Sequence, residues 1–192
     1  MEKGRLEAFS DAVIAIIITI MVLEMKVPHG EEWSVLLPLI PVFVSYVLSF
    51  VYLGIYWNNH HHMLKAARRV DGAVLWANMH LLFWLSLLPF VTGWMGENHF
   101  APIPTALYGV DLLAAAIAYY ILQRTLIAVN GKDSPIAVAI RGHDLKGKIS
   151  PILYLAAIVV TFFYEPLALA LFIIVAAMWL IPDRRMERVV DE

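Results

Sequence analysis

Long apolar segments dominate this sequence, and they constrain its fold more than any other feature. Charged residues, prolines and glycines separate six of them. They supply more apolar surface than a water-soluble core needs, because 61% of the residues are hydrophobic and 16% are charged, against about 25% charged in a typical soluble domain. The excess must face lipid. The segments span approximately residues 6–25, 35–57, 74–95, 104–126, 149–164 and 166–181.

The lengths of these segments predict six transmembrane helices. At about 1.5 Å per residue, the second, third and fourth can cross a hydrocarbon layer of roughly 30 Å, and the last two are shorter. A single helix over residues 149–181 would measure roughly 50 Å, which is too long for one crossing. Pro166 is also a favoured residue at the start of a new helix. We therefore expect an all-α membrane protein in which residues 1–192 form one six-helix domain.

Lysine and arginine indicate the orientation, because they are enriched in cytoplasmic loops. If the six helices alternate in direction, thirteen of the fourteen basic residues lie on one side and Lys26 lies on the other. This bias predicts that both termini are cytoplasmic and that the chain resides in the cell membrane. The opposite side is acidic, which would either concentrate cations near an entrance or form an ordinary solvated surface. Its acidic residues are Glu24, Glu31, Glu32, Glu97 and Glu165.

Several functional classes are disfavoured by the sequence. The chain has no cysteine and a net charge of −2, which excludes cysteine chemistry and makes nucleic acid an unlikely partner. The sequence has no glycine-rich phosphate loop, no His-Glu-x-x-His pair and no Gly-x-Ser-x-Gly elbow. We therefore expect neither an enzyme nor a bound cofactor. The Thr-Val-Gly-Tyr-Gly carbonyl filter of ordinary potassium channels is missing as well.

The first segment combines ionisable residues with an apolar stripe. Ionisable groups within a membrane helix are costly unless they are paired or hydrated, and they are functional by default. On a helical wheel Ile16, Ile20 and Leu23 fall within about 60° of arc, and Thr19 adjoins them. Asp11 lies about 140° from Ile16, so it should point at neighbouring helices. The stripe could pack against another helix, or it could close an aqueous pathway by dewetting.

Other polar residues within the segments allow more than one interpretation. His60, His61 and His62 suggest zinc, but successive helical residues point about 100° apart and cannot all reach one ion. We expect no metal site there, and instead one or two histidines hydrogen-bonded to neighbouring helices. Asp111 could bind a proton or a cation, or it could lie close enough to the interface to be hydrated. His80 could be a buried side chain with its hydrogen bonds satisfied.

The motif Arg5-x-x-x-Phe9-Ser10-Asp11 resembles the signature of the endosomal/lysosomal potassium channels and their prokaryotic homologues. Further motifs strengthen this resemblance but are confined to the first half of the chain. They are Trp57-x-x-His60 at the end of the second helix, Asp71 and Trp76-x-Asn78 at the start of the third, and Pro89-Phe90 within it.

The resemblance implies a potassium-permeable cation channel that lacks a carbonyl filter. A chain with one six-helix repeat is expected to form a homotetramer whose first helices surround a central pathway for K⁺ and other monovalent cations. The family places a constriction at positions matching Ile16, Ile20 and Leu23, and Thr19 could hydrate a passing ion. An inner hydrogen-bonded layer that holds the pore helix is expected at Arg5, Phe9, Ser10, Asp11, Trp57, His60 and Asn78.

Two other functions remain open from the residues alone. Asp11, Asp111 and His80 within helices are also compatible with a proton-coupled secondary transporter. A non-conducting assembly or sensor protein is the other possibility.

Overall fold

The computed structural model describes residues 2–140 and 145–180, apart from the side chains of Ala139 and Ile140, and its regular elements are all helical. A 3₁₀-helix, Trp33–Leu39, leads directly into the second α-helix. The α-helices are α1 (Lys3–Leu23), α2 (Ile40–Ala66), α3 (Gly72–Glu97), α4 (Pro102–Asn130), α5 (Pro135–Ile140), α6 (Leu145–Val160) and α7 (Glu165–Leu180).

Four of these elements are long and apolar enough to cross a membrane. They are α1, the combined span Trp33–Ala66, α3 and α4, with mean hydropathies between 1.6 and 2.2. In the described part of the chain α6 and α7 comprise 16 residues each, and each borders residues outside the described ranges. The chain is therefore an all-helical membrane protein, and the crossing by α6 and α7 stays a prediction.

Local sequence explains where the long helices begin and end. The Asp71 carboxylate accepts a hydrogen bond of 3.0 Å from the Val74 amide, which caps the first turn of α3. Pro41 and Pro102 occupy the first turns of α2 and α4, where a missing amide hydrogen costs nothing. α4 ends because Gly131 adopts a φ of 90°, a conformation that most other residues avoid.

Hydrogen bonds between loops show that the first four helices alternate in direction. The Lys3 ammonium donates to the carbonyls of Lys65 and Ala67, at 3.2 and 3.1 Å, and so joins the start of α1 to the end of α2. The Asn130 side chain bonds both backbone groups of Arg69, which joins the end of α4 to the loop between α2 and α3. We call this the basic end of the bundle.

The opposite end is defined by the pair Lys26 and Glu97, whose Nζ and Oε1 atoms are 2.7 Å apart. This ion pair joins the chain just beyond α1 to the last residue of α3. We call it the acidic end. α3 packs between α1 and α4, while α6 packs against α4 and α7, and α7 also contacts α2.

Close helix contacts depend on glycine at two positions. A Cβ atom on Gly96 of α3 would overlap the Ser45 hydroxyl of α2 and lie 2.8 Å from the Val42 Cα. A Cβ on Gly109 of α4 would lie 2.7 Å from a side-chain carbon of Ile158 and 2.9 Å from the Phe172 ring. These distances are too short for a methyl group, so both glycines allow neighbouring elements to approach closely.

The predicted helix boundaries need several corrections. The second helix continues to Ala66, so the Trp57-x-x-His60 motif lies inside α2 and not at its end, because no helix-breaking residue follows it. Pro38 lies in the 3₁₀-helix and Pro41 in the first turn of α2, so the second predicted segment begins as a 3₁₀-helix. α5 was not predicted, since six residues carry too weak a pattern. α6 begins at Leu145, four residues before the predicted start.

Candidate functional site

The first helix has one buried face and one exposed face. Leu6, Ser10, Ile14, Ile17 and Met21 follow one another at helical spacing, and all are buried against α2 and α3. The opposite face is exposed from the basic end to the acidic end. It carries Arg5, Phe9, Ala12, Ile16, Thr19, Ile20 and Leu23.

A buried hydrogen-bonded chain fixes the first helix at its basic end. Asn78 of α3 donates from Nδ2 to the Ser10 hydroxyl at 2.9 Å, and its Oδ1 lies 2.7 Å from His60 Nε2 on α2. The three side chains are at most 1% exposed. Three helices are thus joined through one asparagine. Ser10, His60 and Asn78 were all expected in this layer, and the structure brings them together.

The direction of each bond in this chain follows from the donors available. The Ser10 hydroxyl donates its only hydrogen to the Leu6 carbonyl at 2.8 Å, so it can only accept from Asn78. The Asn78 amide must therefore present nitrogen to Ser10 and oxygen to His60. It follows that His60 donates through a protonated Nε2. Each hydrogen bond in this buried network has only one possible donor and one possible acceptor. Such a network favours a single arrangement of the three helices.

Asp11 and Trp57 form a second contact between α1 and α2. The Trp57 indole Nε1 donates to Asp11 Oδ1 at 3.0 Å. As the helical wheel predicted, Asp11 points at a neighbouring helix and away from the apolar stripe. The indole ring of Trp57, which is 45% exposed, also stacks on His61.

The three consecutive histidines have three different surroundings. His60 is buried against Asn78, His61 stacks on Trp57, and His62 Nδ1 lies 2.8 Å from the Asn58 carbonyl. The rings of His61 and His62 lie edge to face with their centroids 5.7 Å apart, whereas His60 is buried against another helix, so the three rings do not share one site. Among the described residues no three His, Cys, Asp or Glu side chains are grouped closely enough to hold a metal ion.

Arg5 and Phe9 lie outside the hydrogen-bonded layer in which they were expected. Both are exposed, and within the described residues no hydrogen bond joins the Arg5 side chain to Ser10, His60 or Asn78, while the Phe9 ring has no group that could donate or accept one. The helical period explains this difference, since Arg5 and Phe9 fall within about 20° of Ile16 on the wheel. The exposed face therefore begins with a cation and an aromatic ring at the basic end and continues as aliphatic side chains.

The predicted constriction residues all lie on this exposed face. Ile16 is 57% exposed, Ile20 42% and Leu23 75% in the single chain. The Thr19 hydroxyl donates to the Ala15 carbonyl at 2.9 Å, which leaves its oxygen lone pairs free to accept from water or to face a cation.

An open groove of about 620 Å³ runs beside this face, between α1 and α3. Ile16 and Ile20 line one wall, while Phe90 and Trp94 line the other. Phe90 is 63% exposed, so the groove presents apolar surface that no other part of the described chain covers. Its acidic end is bounded by Glu24 and Glu97.

The negative charge at the acidic end is partly balanced by Lys26. The hydrogen bond to Glu97, and then the charge of that carboxylate, raise the pKa of Lys26 above its usual value. The negative charge of Glu97 is therefore balanced by the positive charge of Lys26. Glu24 forms no ion pair within the described residues and lies next to Leu23 at the end of the exposed face.

Two of the ambiguous polar residues are now placed. Asp111 is 3% exposed, and no described residue forms a hydrogen bond with either of its carboxyl oxygens. It is buried between helices, and the interpretation as a hydrated interface residue was wrong. His80 is exposed and accepts a hydrogen bond of 3.0 Å from the Trp84 indole, so it is not the buried side chain considered from the sequence.

A buried polar stripe on α2 was missed in the sequence. Its members follow one another at intervals of four, three, four and three residues, and all but the half-buried last one are buried. The stripe is Ser45, Ser49, Tyr52, Tyr56 and Asn59. The helical spacing of these polar residues could have predicted a buried polar face on α2. It was missed because serine and tyrosine also occur singly in membrane helices.

Comparisons with known proteins fit this architecture. Residues 5–89 match the model of the family described as endosomal/lysosomal potassium channel TMEM175. A potassium channel from Chryseobacterium sp. (strain P1-3) is 52% identical over 192 residues, which cover 100% of both chains.

A solved structure and a vertebrate protein are also similar. The crystal structure of a lysosomal potassium-selective channel TMEM175 homologue from Chamaesiphon minutus matches with a TM-score of 0.81 and 31% identity, covering 95% of this chain and 98% of that chain. The endosomal/lysosomal proton channel TMEM175 of Danio rerio is 27% identical over 136 residues, 68% of this chain and 25% of that protein.

Proposed function

This chain belongs to the TMEM175 family of endosomal/lysosomal potassium channels and their homologues, and on that premise we propose that it is a potassium-permeable cation channel of the cell membrane. The observation that carries the proposal is the exposed face of α1. One face of this helix is held against α2 and α3 by buried polar hydrogen bonds. The opposite face therefore has a fixed direction, and it exposes Ile16, Ile20 and Leu23 beside an open groove.

The pathway requires several copies of the chain. One exposed helix face can form only one wall, so α1 helices from neighbouring subunits must surround the axis. We propose a homotetramer, which the resemblance to single-repeat family members implies. The apolar groove between α1 and α3 supports this assembly, because surface of that kind is commonly covered by a neighbouring subunit.

Aliphatic rings at Ile16, Ile20 and Leu23 form the constriction in this proposal. Four branched side chains at one level leave a narrow apolar passage from which water withdraws, and this raises the barrier for a hydrated ion. K⁺ would be the main permeant ion. Thr19, one turn from Ile16 and beside Ile20, would offer hydroxyl oxygens between two apolar levels.

The topology in this proposal has six membrane-crossing helices, namely α1 to α4, α6 and α7. The basic end is cytoplasmic, in accordance with the distribution of lysine and arginine. The described parts of α6 and α7 have 16 residues each, and residues that flank them or local thinning of the bilayer would complete their crossing.

A proton-coupled transporter is not favoured. The relatives described above are named as channels, and a carrier would need a closed substrate site between helices. Asp11, one of the residues that suggested it, is already hydrogen-bonded to Trp57.

Reversal potentials in planar bilayers test the proposed function. Purified chain should give currents that reverse near the potassium equilibrium potential when a K⁺ gradient across the membrane is balanced with a large organic cation. Mixed K⁺ and Na⁺ solutions then rank the two ions, and a pH gradient with no permeant metal ion measures any proton current. Correctly folded protein without current, or current that follows only the proton gradient, would refute a potassium-permeable channel.

A further inference from the structure

Among the described residues Asp111 is the one buried carboxyl group, and the proposed cation pathway does not use it. It lies on α4, which packs against α3 and α6 and not against α1, and neither of its oxygens has a hydrogen-bond partner in the described part of the chain. None of the lysines, arginines or histidines of the described residues forms an ion pair with it. A bare carboxylate in such a place is strongly disfavoured, whereas a neutral carboxylic acid is tolerated.

A partly open cavity of about 60 Å³ lies between α2, α4, α6 and α7, and Tyr56 is one of its lining residues. It lies toward the basic end, because Trp179 comes from the last turn of α7, and Asn59 and Gln123 lie about two turns before the ends of α2 and α4. A single water needs about 10 to 15 Å³ of such space, so the cavity has room for roughly four.

Two polar side chains in the cavity wall need water. Gln123 is 8% exposed, and within the described residues its amide makes no hydrogen bond to protein. The Tyr56 hydroxyl likewise has no protein partner there, and its ring packs edge-on against Tyr119. Buried polar groups without protein partners are normally satisfied by ordered water. The cavity therefore has both the room and the polar partners that ordered water needs.

Tyr56 connects this water to Asp111. Its ring lines the cavity, and its hydroxyl interacts electrostatically with the Asp111 carboxyl. Beyond Asp111 the polar path continues toward the acidic end through Tyr108, Ser49 and Thr92. Ser49 lies 2.7 Å from the Thr92 hydroxyl and donates to the Tyr108 hydroxyl at 3.1 Å. The hydroxyls of that part are already bonded to one another.

We propose that Asp111 is a proton-binding site within each subunit, loaded from the basic end through the hydrated cavity and Tyr56, and separate from the pathway along α1. A hydronium ion in the cavity gives one proton to the Tyr56 oxygen while the hydroxyl proton of Tyr56 passes, through a bridging water, to the Asp111 carboxylate. The products are water, an unchanged tyrosine and a neutral carboxylic acid.

The groups that face Asp111 are compatible with this assignment. Tyr56 from α2 and Tyr108 from α4 are the ionisable side chains that interact with it electrostatically. Tyr154 from α6 lies behind Tyr56. From α3 and α7 the described structure brings no charged side chain to it. Loss of the proton would therefore leave an uncompensated anion between α2 and α4.

Infrared spectroscopy of the reconstituted full chain tests the site. A protonated buried carboxyl gives its own C=O stretching band, which shifts when the proton exchanges for deuterium. The wild type should show this band at neutral pH, and Asp111→Asn should lack it. If Asp111→Asn leaves the carboxyl region unchanged, the proposal is wrong.

The route of loading is tested by exchange rates in two further variants. Tyr56→Phe keeps the ring but removes the relay hydroxyl, so deuterium exchange of the band should slow by about tenfold or more. Thr92→Val removes a hydroxyl on the other side of Asp111 and should leave the rate unchanged. If Thr92→Val slows the exchange and Tyr56→Phe does not, protons enter from the acidic end and the proposed route is wrong. Neither infrared result depends on potassium conduction. Failure of the proton-binding site can therefore be distinguished from failure of the proposed channel function.

Discussion

Asn78 Nδ2 donates a hydrogen bond of 2.9 Å to Ser10 Oγ, and this buried contact joins the third helix to the first. Because the same amide also accepts from His60, a single side chain fixes the position of α1 relative to α2 and α3. The exposed face of α1 can serve as the wall of a pathway only if the helix is held in this way.

Replacing Asn78 should therefore destabilise the subunit. Asn78→Ala leaves the buried His60 Nε2–H without an acceptor, which typically costs about 1 to 3 kcal/mol. The apparent melting temperature in detergent should fall by about 2 to 4 °C for each kcal/mol lost. Asn58→Ala is the matched control, because the half-buried Asn58 side chain makes no such bond within the described residues. Equal melting temperatures for the two variants would contradict the structural role of the network.

The contact between Trp57 and Asp11 should contribute a measurable coupling energy. Trp57→Phe keeps the aromatic ring but removes the indole donor, and Asp11→Ala removes the acceptor. Hydrogen bonds to charged groups contribute about 1.5 to 3 kcal/mol, and partial exposure of both groups should bring the coupling to about 1 kcal/mol in a double-mutant cycle. Trp76→Phe serves as a control, since Trp76 is 77% exposed. Additive effects of the Trp57 and Asp11 changes would show that the contact contributes nothing.

Gly96 and Gly93 form a matched pair on α3. A methyl group at Gly96 would meet Ser45 and the backbone of Val42, whereas a methyl group at Gly93 would meet no atom within 4 Å in the single chain. Gly96→Ala should destabilise the fold by about 1 to 3 kcal/mol through overpacking. Within a single subunit, Gly93→Ala should be neutral or stabilising by up to about 1 kcal/mol, because alanine favours the helix. Thermal unfolding of the two variants in the same detergent measures the difference, and a harmless Gly96→Ala would show that α2 and α3 are less closely packed.

Lys26 should influence both pH dependence and conductance at the acidic end. Its pKa is raised in the folded protein by Glu97, so the stabilisation from the pair is present at neutral pH. It is lost as the pH rises through this raised value and the ammonium deprotonates. Glu97→Gln should remove this alkaline dependence from the unfolding curve.

Lys26→Ala makes a complementary change, because it leaves the carboxylate of Glu97 without its cation. The more negative potential should attract cations and increase single-channel conductance at low ionic strength, with the gain disappearing at high salt as screening increases. An increase that persists at high salt would point to a change in the pathway itself and not to its electrostatics.

Much of this architecture could be predicted from the sequence. The apolar segments identified the long helices, because each must satisfy its own backbone in lipid. The helical wheel placed Asp11 against a neighbour and left Ile16, Ile20 and Leu23 on another face, since both results need only the 3.6-residue period. Ser10, His60 and Asn78 could be grouped through the family resemblance.

Other features depend on tertiary packing that no local pattern contains. The end of α2 at Ala66 and the short α5 were missed because neither is marked by a change in hydrophobicity. The exposure of Arg5 and Phe9 follows from the wheel, but the family motif suggested the opposite. The burial of Asp111 required the packing of α4 against its neighbours, and the Tyr56 cavity arises only where α2, α4, α6 and α7 meet.

Cysteine accessibility tests most directly whether the exposed face of α1 lines the cation pathway. The chain has no cysteine, so Ile16→Cys, Ile20→Cys and Leu23→Cys can each be made without background. Leu155→Cys is the control, because Leu155 is 54% exposed on α6, which does not pack against α1. A membrane-impermeant cationic methanethiosulfonate should reduce potassium current in the Leu23→Cys and Ile20→Cys channels and leave Leu155→Cys unaffected. Conducting channels that the reagent leaves unblocked at all three α1 positions, or blocks equally at Leu155, would contradict a pathway lined by this helix.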